Sequence, residues 1–274
     1  MAAPSRAPAV PSRALVTGAS RGIGRAIAEA LLERGYEVLG TARDPASLRT
    51  EEKVAGVRYF PLDLTNEKSI ASLIAAAGSL DILINNAGGS QIGPIEEVPA
   101  EAIRALFEKN LIGPIRLTQG FLPGMRKLHA GRIIFISSYA GVSPVPFLSV
   151  YAATKAALTA LARGLRHEVL ADGIRVSVIA PFDIRTTIPL ELRFRDDSPY
   201  KAALLRVKEV RDRSLREAPD PWIVARKVLQ VLAAGSPRAF YPVGRNARLM
   251  GFLLKHLPDP FVERTVRRLF RVDG

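Results

Sequence analysis

Ala14-Leu15-Val16-Thr17-Gly18-Ala19-Ser20-Arg21-Gly22-Ile23-Gly24 joins a short apolar stretch to a glycine-rich turn, and that turn to a helical pattern over residues 23–34. Residues 14–17 read as a buried strand. Glycines permit a tight turn there and let a pyrophosphate approach the backbone N–H groups at a helix N-terminus. Taken alone, glycines at this spacing also suit an ordinary turn. Their place directly between a strand and a helix points to a nucleotide.

Outward from that stretch, apolar β-type runs at 36–42, 57–61, 81–85, 131–137, 175–179 and 239–241 alternate with helical patterns. The helical patterns cover 66–77, 100–128 (interrupted at Gly113-Pro114), 151–170 and 221–234. This alternation predicts an α/β fold: a single Rossmann-type, doubly wound parallel sheet with helices on both faces. Between Pro181 and Pro219 charges dominate and fixed apolar positions are few. The expected organisation is a tail at 1–12, one domain at 13–244, and a basic amphipathic extension at 245–274. The tail, rich in Ala, Pro, Ser and Arg, reads as disordered rather than as a signal peptide.

The 274 residues are 48% hydrophobic and 24% charged, enough for a full globular core. No cysteine is present, which removes disulfides, thiolate catalysis and cysteine-bound zinc and fits a reducing, cytoplasmic setting. His129, His167 and His256 lie at no metal-ligand spacing, so no metal site is expected. No run is long and apolar enough to span a bilayer. A net charge of +13 invites an anionic partner, but no motif or aromatic-basic platform supports nucleic acid.

Tyr151 and Lys155 stand at i and i+4, so they share one helix face and can converge on one cleft. A free tyrosine has a pKa near ~10, and lowering it by about three units takes roughly 4 kcal/mol of preferential phenolate stabilisation. A lysine ammonium, aided by an oxidised nicotinamide, is a source of that kind. In the reductive direction the tyrosine would give its proton to the developing alkoxide. After the second strand the chain reads Thr41-Ala42-Arg43. An acid there would bond a ribose 2′-hydroxyl, whereas Arg43, with Arg21 in the glycine turn, suits a 2′-phosphate. NADP(H) is therefore preferred, with Asp44 one residue later as the competing group.

The spacing G-x-x-x-G-x-G, Asn85-Asn86-Ala87-Gly88 after the fourth strand, and Tyr151-Ala152-Ala153-Thr154-Lys155 together resemble the short-chain dehydrogenase/reductase family, over residues 14–241. The resemblance implies an NADP-dependent oxidoreductase, in the neighbourhood of hydroxysteroid and retinol dehydrogenases. It implies catalytic Asn110, Ser138, Tyr151 and Lys155, with Ser138 on the substrate carbonyl and Asn110 holding a relay water. Asn110 also suits a capping or kink position beside Gly113-Pro114. Cofactor contacts implied are Gly18, Ser20, Arg21, Gly22, Ile23, Gly24, Arg43, Asn86, Ala87, Gly88, Tyr151 and Lys155. Asp63 and Leu64 would meet the adenine, and Pro181, Ile184 and Thr186 the nicotinamide side. Phe182 departs from the family's usual glycine, either altering the backbone or adding to the substrate wall.

By the same resemblance residues 187–218 form a substrate lid. Leu190, Leu192, Phe194, Tyr200, Leu204 and Leu205, with Val142, Val145, Pro146, Phe147 and Leu148, imply an apolar pocket, although some suit the core equally. A ketone or alcohol of steroid, retinoid or lipid type is the expected small-molecule substrate. A catalytically silent NADP-binding sensor or scaffold is the rival function. The small residues Ala153, Ala156, Ala157 and Ala160 suit a homodimer or homotetramer built on this helix and the long one before it. In the extension, Leu249, Phe252, Leu253, Leu257, Phe261, Val262, Val266, Leu269 and Phe270 accompany Arg248, Lys255, Arg264, Arg267, Arg268 and Arg271. A flap over the pocket mouth or a subunit contact is favoured there over peripheral contact with anionic lipid.

Overall fold

The computed structural model describes residues 12–186, 190–245 and 257–272. The expected tail up to residue 11, residues 187–189 of the expected lid, and Arg248, Leu249, Phe252, Leu253 and Lys255 of the extension lie outside them. Seven parallel strands form the central sheet: β1 (Arg13–Val16), β2 (Glu37–Ala42), β3 (Arg58–Pro61), β4 (Ile82–Asn85), β6 (Gly131–Ile136), β7 (Ile174–Pro181) and β9 (Phe240–Val243). Their spatial order is β3-β2-β1-β4-β6-β7-β9. The order reverses between β1 and β4, which opens a crevice at their carboxyl ends where ligands bind in such sheets.

Helices cover both faces because the strands are apolar on both sides. On one face, α2 (Glu67–Ala77), α4 (Gly113–Lys127) and α5 (Ser149–Glu168) bring Leu73, Leu117, Phe121 and Leu158 onto Leu15, Leu83 and Phe135. On the other, α1 (Gly22–Leu32) and α7 (Trp222–Ala233) press Ile27, Leu31, Val224 and Val228 onto Val16, Ile84 and Ile134. The Asn66 side chain caps α2 by accepting from the backbone N–H groups of Lys68 and Ser69.

The pattern at 100–128 resolves into α3 (Ala100–Phe107), a π-turn (Glu108–Ile112) and α4. The interruption therefore falls just before Gly113-Pro114, because Pro114 fits the first turn of a helix, where its missing N–H goes unused. The loose region after Pro181 holds more structure than its sequence suggests. A short parallel pair joins β5 (Ser90–Ile92) to β8 (Leu190–Leu192), and α6 spans Lys201–Glu217. Only Leu204 and Val207 of α6 are buried, so its apolar stripe is too thin to stand out from its charges. The last described helix, α8 (Asp259–Phe270), packs beside α6, where Arg206 Nε donates to the Arg271 carbonyl at 3.2 Å. No helix among the described residues is long and apolar enough to cross a membrane.

Candidate active site

The carboxyl ends of β1, β4, β6 and β7 converge on one cleft. At β1, Gly18 and Gly22 turn with φ of +69° and +54°, a region that favours glycine. A Cβ on Gly24 would collide with the Gly18 carbonyl and press on Asn86 Nδ2. The turn is thus a cradle with room for backbone only. α1 starts at Arg21 with no side-chain cap and no acid in its first turn, so its leading N–H groups lack a side-chain acceptor. That arrangement fits a dinucleotide pyrophosphate. Asn86 and Ala87 donate their backbone N–H groups to Thr17 Oγ1 at 2.9 Å, and Asn86 Nδ2 donates to the Thr17 carbonyl at 2.8 Å. A Cβ on Gly22 would lie 3.7 Å from Thr186, which places Thr186 beside the cradle. Ser20 and Ile23 are half-buried there.

At the end of β2, Arg43 is exposed, as is Arg21, and neither side chain holds a hydrogen bond or ion pair among the described residues. Asp44 is turned into its own loop, its Oδ1 accepting from the backbone N–H groups of Ala46 and Ser47 at 3.0 and 3.3 Å. Asp63 accepts from the Thr65 backbone and hydroxyl, which hold its carboxyl below the usual range. Two of the implied contacts have buried side chains. Leu64 is a core residue packed with Leu62 and Ile70, and Ile184 is buried with Val224 and Val243. Their side chains serve packing, which leaves only their backbone to a cofactor.

The catalytic candidates come together around α5. Ser137 is buried, its Oγ donating to the Lys155 carbonyl at 3.0 Å, so alternation along the strand turns Ser138 the other way. Ser138 starts a 3-10 turn (Tyr139–Gly141), its Oγ accepting from the Ala140 N–H, and its side chain is close enough to the Tyr151 hydroxyl to favour the ionised form. Lys155 is buried and donates from Nζ to the Ile136 carbonyl at 3.1 Å. Its Nζ lies 5.9 Å from the centre of the Tyr151 ring. Asn110, fully buried in the π-turn, accepts from the Gly89 N–H at 2.7 Å and donates to the Gly89 carbonyl and Thr154 Oγ1, both at 3.0 Å. A Cβ on Gly88 would sit 2.9 Å from Asn110 Oδ1 and 3.6 Å from Lys155 Nζ. Asn110 thus occupies a helix irregularity and the site at once; π-turns often mark functional positions. Thr154, which the sequence reading passed over inside the Tyr-x-x-x-Lys run, is its partner on α5.

The electrostatics differ from the expectation of a depressed tyrosine. Burial raises the Tyr151 pKa above its ordinary value, opposed by the Ser138 hydrogen bond and by the Arg211 guanidinium. Burial also lowers Lys155, to about 8. Protein groups alone therefore keep Tyr151 protonated, since desolvation outweighs the charges that favour phenolate.

An apolar cluster walls the cleft beside Tyr151. Ile92, Leu148, Leu204 and Val207 are buried in it, with Val145, Phe147, Leu190, Phe194, Phe270 and Val272 packed against them. Val142, Leu192, Tyr200 and Leu205, expected in the pocket, are more than a third exposed; Tyr200 touches the outside of the cluster through an edge contact with Phe147 at 6.2 Å. Phe182 leaves the wall too. Its ring packs edge-on against Tyr139 at 5.3 Å, and its N–H donates to the Val243 carbonyl at 2.7 Å, which prolongs the β7–β9 ladder. Phe270, one of the apolar residues of the extension, and Val272 beyond it reach this cluster from the far end of the chain.

Residues 12–195 match the short chain dehydrogenase family. The chain belongs to that family. A short-chain dehydrogenase from Streptomyces avermitilis is 33% identical, with a TM-score of 0.78 over 97% of this chain and 99% of that one. A metagenomic short-chain oxidoreductase in complex with NADP is 32% identical, with a TM-score of 0.68 over 85% of this chain and 96% of that one. The 3-ketodihydrosphingosine reductase of Bacteroides thetaiotaomicron is 28% identical over 96% of this chain and 99% of that protein. This short-chain dehydrogenase is thus an oxidoreductase with a nicotinamide cofactor, acting by hydride transfer.

Proposed function

We propose that the protein is an NADP(H)-dependent reductase of an apolar ketone or aldehyde, with Tyr151 as the proton donor. The observation that carries this reading is the meeting of Ser138, Tyr151 and Lys155 at one edge of an apolar cluster. Gly18, Ser20, Arg21, Gly22, Ile23 and Gly24 hold the pyrophosphate, with Asn86, Ala87, Gly88, Pro181 and Thr186 around it. Arg43 and Arg21 take the 2′-phosphate, a role supported by their lack of protein partners and by the diversion of Asp44 into its own loop. When bound, the nicotinamide supplies the hydride for the carbonyl carbon.

Ser138 donates to the substrate oxygen and orients it. Tyr151, kept protonated by burial, transfers its proton to that oxygen as charge develops. Lys155 supplies positive charge that steadies the tyrosinate left behind, and Asn110 fixes the Gly89 backbone and α5 around it. The apolar cluster excludes water and favours a lipid-like, steroid-like or retinoid-like chain; the similarity to an oxidoreductase in complex with NADP and to a 3-ketodihydrosphingosine reductase supports this reading. A chain without cysteine suits the cytoplasm. The test is NADPH consumption against ketones and aldehydes of increasing apolar size, with NADH as control. Turnover rising with apolar size and strongest with NADPH is expected; no turnover with any of them overturns the reading.

A further inference from the structure

Leu204, Val207, Arg211 and Ser214 share one face of α6, within a sector of roughly 80° at about 100° per residue. Leu204 and Val207 are buried in the cluster that packs Tyr151. Ser214 donates its hydroxyl to Asp183, on the loop that leads from β7 to Thr186. Arg211 lies between these two anchors and is half-buried on the cleft side of the lid. Its guanidinium is close enough to pull on the titration of the Tyr151 hydroxyl.

The other cations of α6 are mostly engaged. Lys208 pairs with Asp212, Arg213 with Glu209, Arg206 donates to the Arg271 carbonyl, and Lys201 donates to the Asp196 carbonyl. Asp183 is engaged by Ser214. Arg211 holds no hydrogen bond or ion pair among the described residues. A half-buried guanidinium with no partner among the described residues keeps its planar donors open to an oxyanion.

We propose that Arg211 binds an oxyanion on the substrate, so that the protein acts on acidic amphiphiles. Their apolar chain fills the cluster beside Tyr151, and a carboxylate or phosphate lies within a few atoms of the carbonyl. This rests on the reductase reading for the position of the carbonyl, not for the binding of the anion. The donors of Arg211 form a fork that matches carboxylate and phosphate alike.

Calorimetric titration of the full chain, with NADPH present, by decanoate, decyl phosphate and decanol separates the contributions. The wild type should bind one of the anions about tenfold or more tighter than decanol, the gain expected of a charge-assisted bond. The tighter anion identifies the oxyanion. Arg211→Ala should lose that preference and keep the affinities for decanol and NADPH, while Arg211→Lys, which preserves the charge, should retain part of it. Equal binding of decanol and both anions by the wild type overturns the proposal. So does an anion preference that survives in Arg211→Ala, or a loss confined to NADPH affinity. Since no turnover is required, a failure of the reductase reading shows separately, as an absence of NADPH consumption.

Discussion

Lys155 shows how much a single side chain concedes to the site. Its pKa falls from 10.5 to about 8 on burial. Between those values the unfolded chain binds more protons than the folded one, so the penalty for burying the charge is full below pH 8 and is relieved as pH rises toward 10.5. Lys155→Met should therefore be inactive yet more stable than the wild type near neutral pH, by up to about 3 kcal/mol. Loss of the bond to the Ile136 carbonyl takes back roughly 1 kcal/mol of that. Denaturant titrations should show the advantage shrinking as pH rises above 8; a variant less stable than the wild type at neutral pH would contradict it. Arg43 makes a second residue-level case. Arg43→Ala should weaken NADPH by about ten- to a hundredfold and leave NADH nearly unchanged. Equal losses in a fluorescence titration would mean that Arg43 does not read the 2′-phosphate.

Among the elements, those with long periods and sharp ends were legible from the sequence. β1, α1, β4 and α5 stand within two residues of their expected bounds, because the glycine turn separates β1 from α1 and the apolar periods of β4 and α5 are regular. Ser138, Tyr151 and Lys155 were legible for the same reason, being fixed to the end of β6 and one face of α5. Helix α6, inside the segment expected as a lid, was not: its burial depends on two side chains, and its partners come from β5, α5 and α8, which no local pattern announces. Leu64 and Ile184 adjoin site residues in the chain while their side chains point to the core, so a contact from either to a cofactor would be through the backbone. For the extension a flap or a subunit contact was expected; in α8 Phe270, with Val272 after it, packs against the cluster around Tyr151, while Phe261 and Leu269 stay 57% and 59% exposed. A chain ending at Gly244 should keep its NADPH affinity and show a higher KM for long-chain ketones than for short ones. An unchanged KM for both would detach α8 from substrate access.

Across the whole molecule, one end of the sheet carries the chemistry and the exposed face of α5 carries a different opportunity. Ala153, Ala156 and Ala160 are exposed on that face, small enough for a second helix to approach closely. Ala156 and Ala160 also line a cavity of about 950 Å³ with Arg163, Phe240 and Val262. A homo-oligomer built on α4 and α5 would cover this surface. Light scattering should find a dimer or tetramer at micromolar concentration, reduced to smaller species by Ala153→Arg; a monomeric wild type would contradict the interface. The central claim concerns the cleft: the fold holds NADPH at the glycine cradle, and Tyr151 alone supplies the proton. Its most direct test is the Tyr151→Phe variant, assayed for NADPH consumption with the best ketone and for NADPH binding by fluorescence. Turnover lost with NADPH affinity retained is the predicted result, and turnover near that of the wild type would contradict the account.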